Sequence, residues 1–126
     1  VQSRYGLPEA KLARIFNPMD VANWHAMDRS EARAELGISL DAHIVIYHGR
    51  IEIYRKGLDT LLEAWEQVLC ARPGQDLRLL LVGTGTDADK LRQRIAQMQL
   101  KGVMWRDEYV RDRTAILRYL SAADVY

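Results

Sequence analysis

The chain of 126 residues reads as an α/β domain in which crossover helices wrap a parallel sheet. Two patterns predict this. Apolar runs of strand length alternate with segments of helical period. The strand runs are also continuously apolar, as strands covered on both faces require. The length suits one domain with a real core.

The elements follow in chain order. Asp28 and Glu31 have capping-box spacing before "ARAELG" (Ala32 to Gly37), and Gly37 is the predicted helix stop. "HIVIYH" (His43 to His48) is the first strand, and Gly49 to Lys56 is expected to be a loop. A helix begins after Gly57. There Leu58, Leu61, Leu62, Trp65, Val68 and Leu69 recur at helical steps, with Glu63, Glu66 and Gln67 on the other face. Pro73-Gly74 ends it with turn chemistry. "LRLLLVG" (Leu77 to Gly83) is the second strand. Thr86 is the expected N-cap of the next helix, with Asp89 near its positive end and a buried stripe of Ala88, Leu91, Ile95 and Met98. "VMW" (Val103 to Trp105) is a short third strand. Ile116, Leu117 and Leu120 mark a helix starting near Asp112, and "DVY" (Asp124 to Tyr126) opens a fourth strand.

Composition bounds the function. Hydrophobic residues make up 48% and charged residues 28%, an ordinary soluble balance, and a formal charge of +1 argues against nucleic acid or an anionic membrane as a partner. Any basic site must therefore be local. The single cysteine, Cys70, cannot form an intrachain disulfide, which fits a reducing compartment and a cytoplasmic location. No apolar run reaches membrane-spanning length and no signal peptide opens the chain. His25, His43 and His48 lack metal-ligand spacing, so no metal is expected. No nucleophile–base arrangement is evident. A start at Val1 and a stop within an apolar run read as a piece of a longer protein.

Right-handed crossovers collect the strand-to-helix loops at the carboxyl edge of the sheet, where open α/β sheets bind ligands. Gly49 lets the backbone leave the first strand unobstructed. Arg50 and Lys56 bring a donor fork and a compact charge, and the helix after Gly57 directs its positive end to the same space. Together they suit a phosphate or pyrophosphate, with Arg55 the cation expected to be merely solvated. Gly83 and Gly85 are compatible with a tight turn or with close approach to a ligand. No G-x-G-x-x-G fingerprint or Walker lysine is present. Trp105 can pack or border a base. Asp107 and Glu108 are adjacent acids that project in different directions, candidates to accept from a base or ribose and not an acid–base pair.

"IFNPMD" (Ile15 to Asp20), "ARAELGI", "IYHGRIEIYRKGLDTLLEAW", "LRLLLVGTG" and "YLSAADVY" occur in an order that resembles the C-terminal, donor-binding domain of GT-B glycosyltransferases of the retaining, family-4-like group 1 type. The resemblance implies a Rossmann-like parallel sheet forming one half of a GT-B fold. Residues 1–28 would arrive from the interdomain region and 29–126 would form the βα core. It further implies a nucleotide-diphosphate sugar as substrate, with UDP, GDP or ADP as carrier, no cofactor, and a sugar or lipid-linked acceptor. Arg50 and Lys56, with Gly49, would hold the donor diphosphate. Gly83, Gly85 and the stretch Trp105, Arg106, Asp107 and Val110 would lie near the nucleotide. Asp107 replaces a glycine common in such proteins, Pro18 a glycine after Asn17, and His48 a small apolar residue. The Glu-x7-Glu motif typical of the family would follow "SAADVY", beyond the chain, and the acceptor-binding N-terminal domain would precede it. The fragment is therefore expected to be inactive alone, its parent cytoplasmic or peripheral at a membrane. The rival readings are a non-catalytic Rossmann-like binding or scaffolding module, and half of a GT-B epimerase or phosphorylase.

Overall fold

A computed structural model describes residues 6, 8–18, 20–22 and 24–126. The interdomain segment expected over 1–28, and the "IFNPMD" motif within it, lie partly outside the described residues. Their described part holds a 3-10 turn at Glu9–Lys11. The core then runs α1 (Arg29–Glu35), β1 (His43–His48), α2 (Ile53–Lys56), α3 (Leu58–Ala71), β2 (Leu77–Val82), α4 (Ala88–Gln97), β3 (Val103–Arg106) and α5 (Arg113–Ala122).

The three strands pair in parallel in the order β1-β2-β3. Register sorts their side chains cleanly between two faces. Val45, Leu79 and Val103 form one row, and Tyr47, Leu81 and Trp105 a second. Both rows pack on Leu58, Leu62 and Trp65 of α3 and Leu91 of α4. Ile44, Ile46, Leu80, Val82 and Met104 face the other way, toward Ile38 and, in α5, Tyr119 and Leu120. Helices therefore cover both faces, which is why the strands read as unbroken apolar runs. After α5 the chain returns to the free edge of β1, where Val125 bridges Val45 in parallel and Ile46 N–H donates to the Val125 carbonyl at 2.8 Å. The predicted fourth strand thus begins beside the first.

The ends of α1 follow the sequence signals. Asp28 accepts from the Glu31 amide at 2.9 Å. Beyond the helix, Gly37 sits at φ 67°, with its amide on the Ala34 carbonyl and that of Ile38 on the Arg33 carbonyl. This is a Schellman stop. Helix α5 starts where expected, and Asp112 caps it by accepting from the Thr114 amide. The Ala88, Leu91, Ile95 and Met98 stripe of α4 packs on the core, whereas Val68 of α3 is left exposed.

Two local expectations change. Residues 53–56 of the anticipated loop form the helical turn α2, anchored by the nearly buried Ile53 and ended by Gly57 at φ 64°. The N-cap of α4 is Asp87 and not Thr86. One further feature was invisible to pattern reading. Arg33 is fully buried, donating to the carbonyls of Ala122 (2.9 Å) and Leu40 (2.6 Å) and to Asp124 Oδ2 (2.8 Å). Asp124 also accepts from Arg29 and from the Ile44 amide.

Candidate functional site

The carboxyl ends of the three parallel strands lie along one edge of the sheet. β2 and β3 build outward from one side of β1, and the chain then crosses to its other side at Val125. Open parallel sheets bind ligands beyond the carboxyl ends of their strands. A cleft of about 760 Å³ lies at that edge, its floor formed by His48, Gly49, Val82 and Gly83 and its wall by Tyr109, Val110 and Ile116.

The β1–α2 segment brings the charge. Arg50 lines the cleft with its side chain 68% exposed, so a ligand can reach the guanidinium. Its backbone is fixed by Tyr47, whose hydroxyl donates to the Arg50 carbonyl at 2.8 Å. A Cβ on Gly49 would lie 2.9 Å from that hydroxyl, so glycine keeps the path open. Burial, then Tyr126 and Glu52, raise the pKa of Tyr47, which keeps it a donor. Glu52 pairs with Arg50 at 3.2 Å and with Arg55 at 3.5 Å. Arg55, expected to be merely solvated, thus shares a carboxylate with Arg50. Lys56 ends α2, outside the lining residues of the cleft.

Gly83 and Gly85 line the cleft, and the structure supplies the reason for glycine at both. Gly83 has φ 136°, and a Cβ there would meet the Gly49 carbonyl oxygen at 2.0 Å. At Gly85 it would meet the Ile51 carbonyl oxygen at 2.2 Å. The two loops therefore lie backbone on backbone, joined by Ile51 N–H to Thr84 O (3.1 Å) and Asp87 N–H to Ile51 O (3.3 Å). Asp87 Oδ2 adds a bond from the Ile53 amide at 3.0 Å. That bond, followed by Lys90, holds the Asp87 pKa below its ordinary value.

The β3–α5 segment divides. Glu108, Tyr109 and Val110 reach the cleft, while Trp105, Arg106 and Asp107 are not among its lining residues. The Trp105 indole donates to the Gly83 carbonyl at 2.9 Å, and Arg92 of α4 stacks 4.9 Å from its ring centroid. Asp107 pairs with the same Arg92. Glu108 pairs instead with Arg106 at 2.8 Å, raising the arginine's pKa. The adjacent acids do project apart, as their spacing implied. Sequence reading missed Glu52, Asp87 and Tyr109. Only the position of Tyr109, one residue before Val110, carried a signal. Among the described residues no group of three His, Cys, Asp or Glu side chains could hold a metal ion, and no helix is long and apolar enough to cross a membrane.

The fold has a counterpart among solved structures. The fold is similar to the C-terminal domain of a glycosyl transferase group 1 family protein (LpcC) from Francisella tularensis, with a TM-score of 0.65 and 23% identity, over 85% of this chain and 56% of that one. The predicted fold, one half of a GT-B fold, is thus the one observed.

The sequence settles the family. The profile described as "Glycosyl transferases group 1" matches residues 42–126, and the chain belongs to that family. It is 42% identical over 79 residues to a D-inositol 3-phosphate glycosyltransferase of Segniliparus rotundus, covering 63% of this chain and 17% of that protein. To the protein of the same description from Rhodococcus erythropolis it is 34% identical over 79 residues, covering 63% of this chain and 18% of that protein. A GDP-mannose-dependent monoacylated alpha-(1-6)-phosphatidylinositol monomannoside mannosyltransferase of Corynebacterium glutamicum is 33% identical over 100 residues, covering 79% of this chain and 24% of that one. The chain therefore spans less than a quarter of the length of these curated relatives.

Proposed function

We propose that the cleft binds the diphosphate of a nucleotide-diphosphate sugar, and that the domain is the donor-binding half of a retaining glycosyltransferase. The observation that carries this reading is the exposed Arg50 in a cleft at the carboxyl edge of the sheet, above the ends of β1 and β2. An exposed guanidinium offers planar, bidentate donors suited to phosphate oxygens. Lys56, one short helical turn away, adds charge from the rim. As the bond between sugar and diphosphate breaks, negative charge builds on the leaving phosphate, and fixed cations stabilise it more in the transition state than in the ground state. The nucleotide would extend along the cleft toward Glu108, Tyr109 and Val110. No metal or cofactor is needed for this role, because the cations serve the diphosphate directly.

In this proposal the parent transfers a hexose to a sugar or lipid-linked acceptor held by an N-terminal domain, in the cytoplasm or at a membrane surface. Residues 1–28 join the two domains, and the 126-residue chain alone does not catalyse transfer. The GDP-mannose dependence of the Corynebacterium relative makes GDP the first carrier to test. An amide NMR titration with GDP, UDP and ADP should shift signals from Gly49 to Gly57 and from Glu108 to Val110, and Arg50→Glu should abolish the shifts. Signals that move with none of the three nucleotides, both in this chain and in a folded one extended through the Glu-x7-Glu region, would exclude this cleft as a nucleotide site.

A further inference from the structure

We propose that Asp87 is a positioning residue for the donor diphosphate, capping the helical turn that follows Arg50 instead of the helix it precedes. The inference rests on reading the cleft as a diphosphate site.

Two departures from local rules carry it. Asp87 occupies the N-cap of α4, yet its side chain makes no capping bond there. An aspartate at that position ordinarily accepts from the second or third amide of its own helix. Here Oδ2 turns across to the Ile53 amide, 34 residues away in sequence, at 3.0 Å. Glu52 mirrors this behaviour. It stands at the N-cap of α2 and makes no capping bond either, because its carboxylate faces Arg50 and Arg55. The first amide of α2 would otherwise have no helical partner. Asp87 supplies that partner, and Glu52 is left free to gather the cations.

The exchange fixes the segment that carries the charge. Ile51 is held on both sides, its N–H by Thr84 O and its carbonyl by the Asp87 N–H, and Ile53 is held by the Asp87 carboxylate. Glu52 lies between the two anchored residues, and the Lys56 amide closes α2 onto the Glu52 carbonyl at 3.0 Å. Arg50, Glu52 and Lys56 therefore take their positions from one strap whose template is the 84–87 segment. The Ile51 and Ile53 side chains are 0% and 8% exposed, so the strap is pinned to the core from below as well. Local rules broken at one place in an otherwise consistent sequence point to a site where function sets the residue.

The test measures GDP and UDP dissociation constants by calorimetry on the 126-residue chain, unaltered and with Asp87→Ala, Asp87→Asn and Asp28→Ala. Loss of the acceptor in Asp87→Ala should weaken binding about tenfold, the scale of one lost charged hydrogen bond. Asp87→Asn keeps an acceptor oxygen and should recover affinity to within about threefold. Asp28→Ala removes a cap of similar kind from α1, away from the cleft, and should leave affinity unchanged. Equal affinity in Asp87→Ala and the unaltered chain overturns the proposal, as does an Asp87→Asn variant no better than Asp87→Ala. Should Asp87→Ala fail to fold, Asp87→Ser, whose shorter hydroxyl leaves the Ile53 amide unmet, takes its place. If the unaltered chain binds neither nucleotide, the same variants are measured in a chain extended through the Glu-x7-Glu region, and absence of binding there too sinks the donor reading. The clamp is then judged by amide exchange, with faster exchange of Ile53 and Lys56 in Asp87→Ala alone expected, and unchanged exchange overturning it.

Discussion

Asp124 gathers the Ile44 amide, Arg29 and the fully buried Arg33 around one carboxylate. Burial pushes its pKa up, but the Ile44 amide and the two guanidinium charges together outweigh that and hold it below the ordinary 3.8. A carboxyl whose pKa is lowered by folding stabilises the native state above its unfolded pKa, and that contribution is lost as pH falls through the folded pKa. Asp87 has the same sign, held down by the Ile53 amide and Lys90. Stability should therefore fall with acidification from about pH 4 downward. Asp124→Asn should be less stable than the unaltered chain near neutral pH, because it leaves Arg33 buried beside a neutral partner. It should also show a flatter acid limb, with Asp87 supplying the remaining slope. Urea unfolding midpoints across the acid range measure both. Identical slopes in the two proteins would remove Asp124 from the linkage.

At the scale of elements, the two strand-to-helix loops act as one unit because their backbones touch. Gly83→Ala places a methyl 2.0 Å from the Gly49 carbonyl oxygen at a φ of 136°. Overpacking and backbone strain together should cost about 2–5 kcal/mol. Gly74→Ala is the control, also at positive φ but with nothing within 4 Å. It should cost only about 1–2 kcal/mol, the penalty of a Cβ in the left-handed region. Equal urea midpoints for the two variants would show that the loops separate readily. How far sequence could see these elements follows from the range of each signal. The strands and long helices were legible from apolar periodicity, and the α1 stop from Gly37, because those signals lie within a few residues. The turn α2 has no period to show in Ile53–Lys56. Its cap lies in another loop, which is also why Thr86 looked the better N-cap than Asp87. At the site, Arg50 and the glycines stood out through charge and position. Glu52 did not, since a lone acid beside arginines reads as a solvated pair until the fold brings it to the cleft.

For the whole molecule, β2 is the keel. It is hydrogen-bonded on both sides, and Leu79 through Val82 are buried. Amides deep in such a strand open only when the domain unfolds. Leu79 to Val82 should accordingly show the slowest hydrogen exchange, near the global unfolding limit, while β3 and α2 exchange faster. Slowest exchange in α4 would instead place the most persistent structure outside the sheet. The sheet order itself was only half legible, since alternation implies parallel strands but not on which side of β1 the chain returns. The buried contact that fixes this return has a consequence for synthesis. Arg33 and Asp124 are 91 residues apart, so at about 5–20 residues per second Arg33 is made roughly 5–20 s before its carboxylate partner. Until then no guanidinium can enter the interior without an uncompensated charge. Docking of the first helix is therefore completed only when the last residues arrive, and one face of the sheet is closed last.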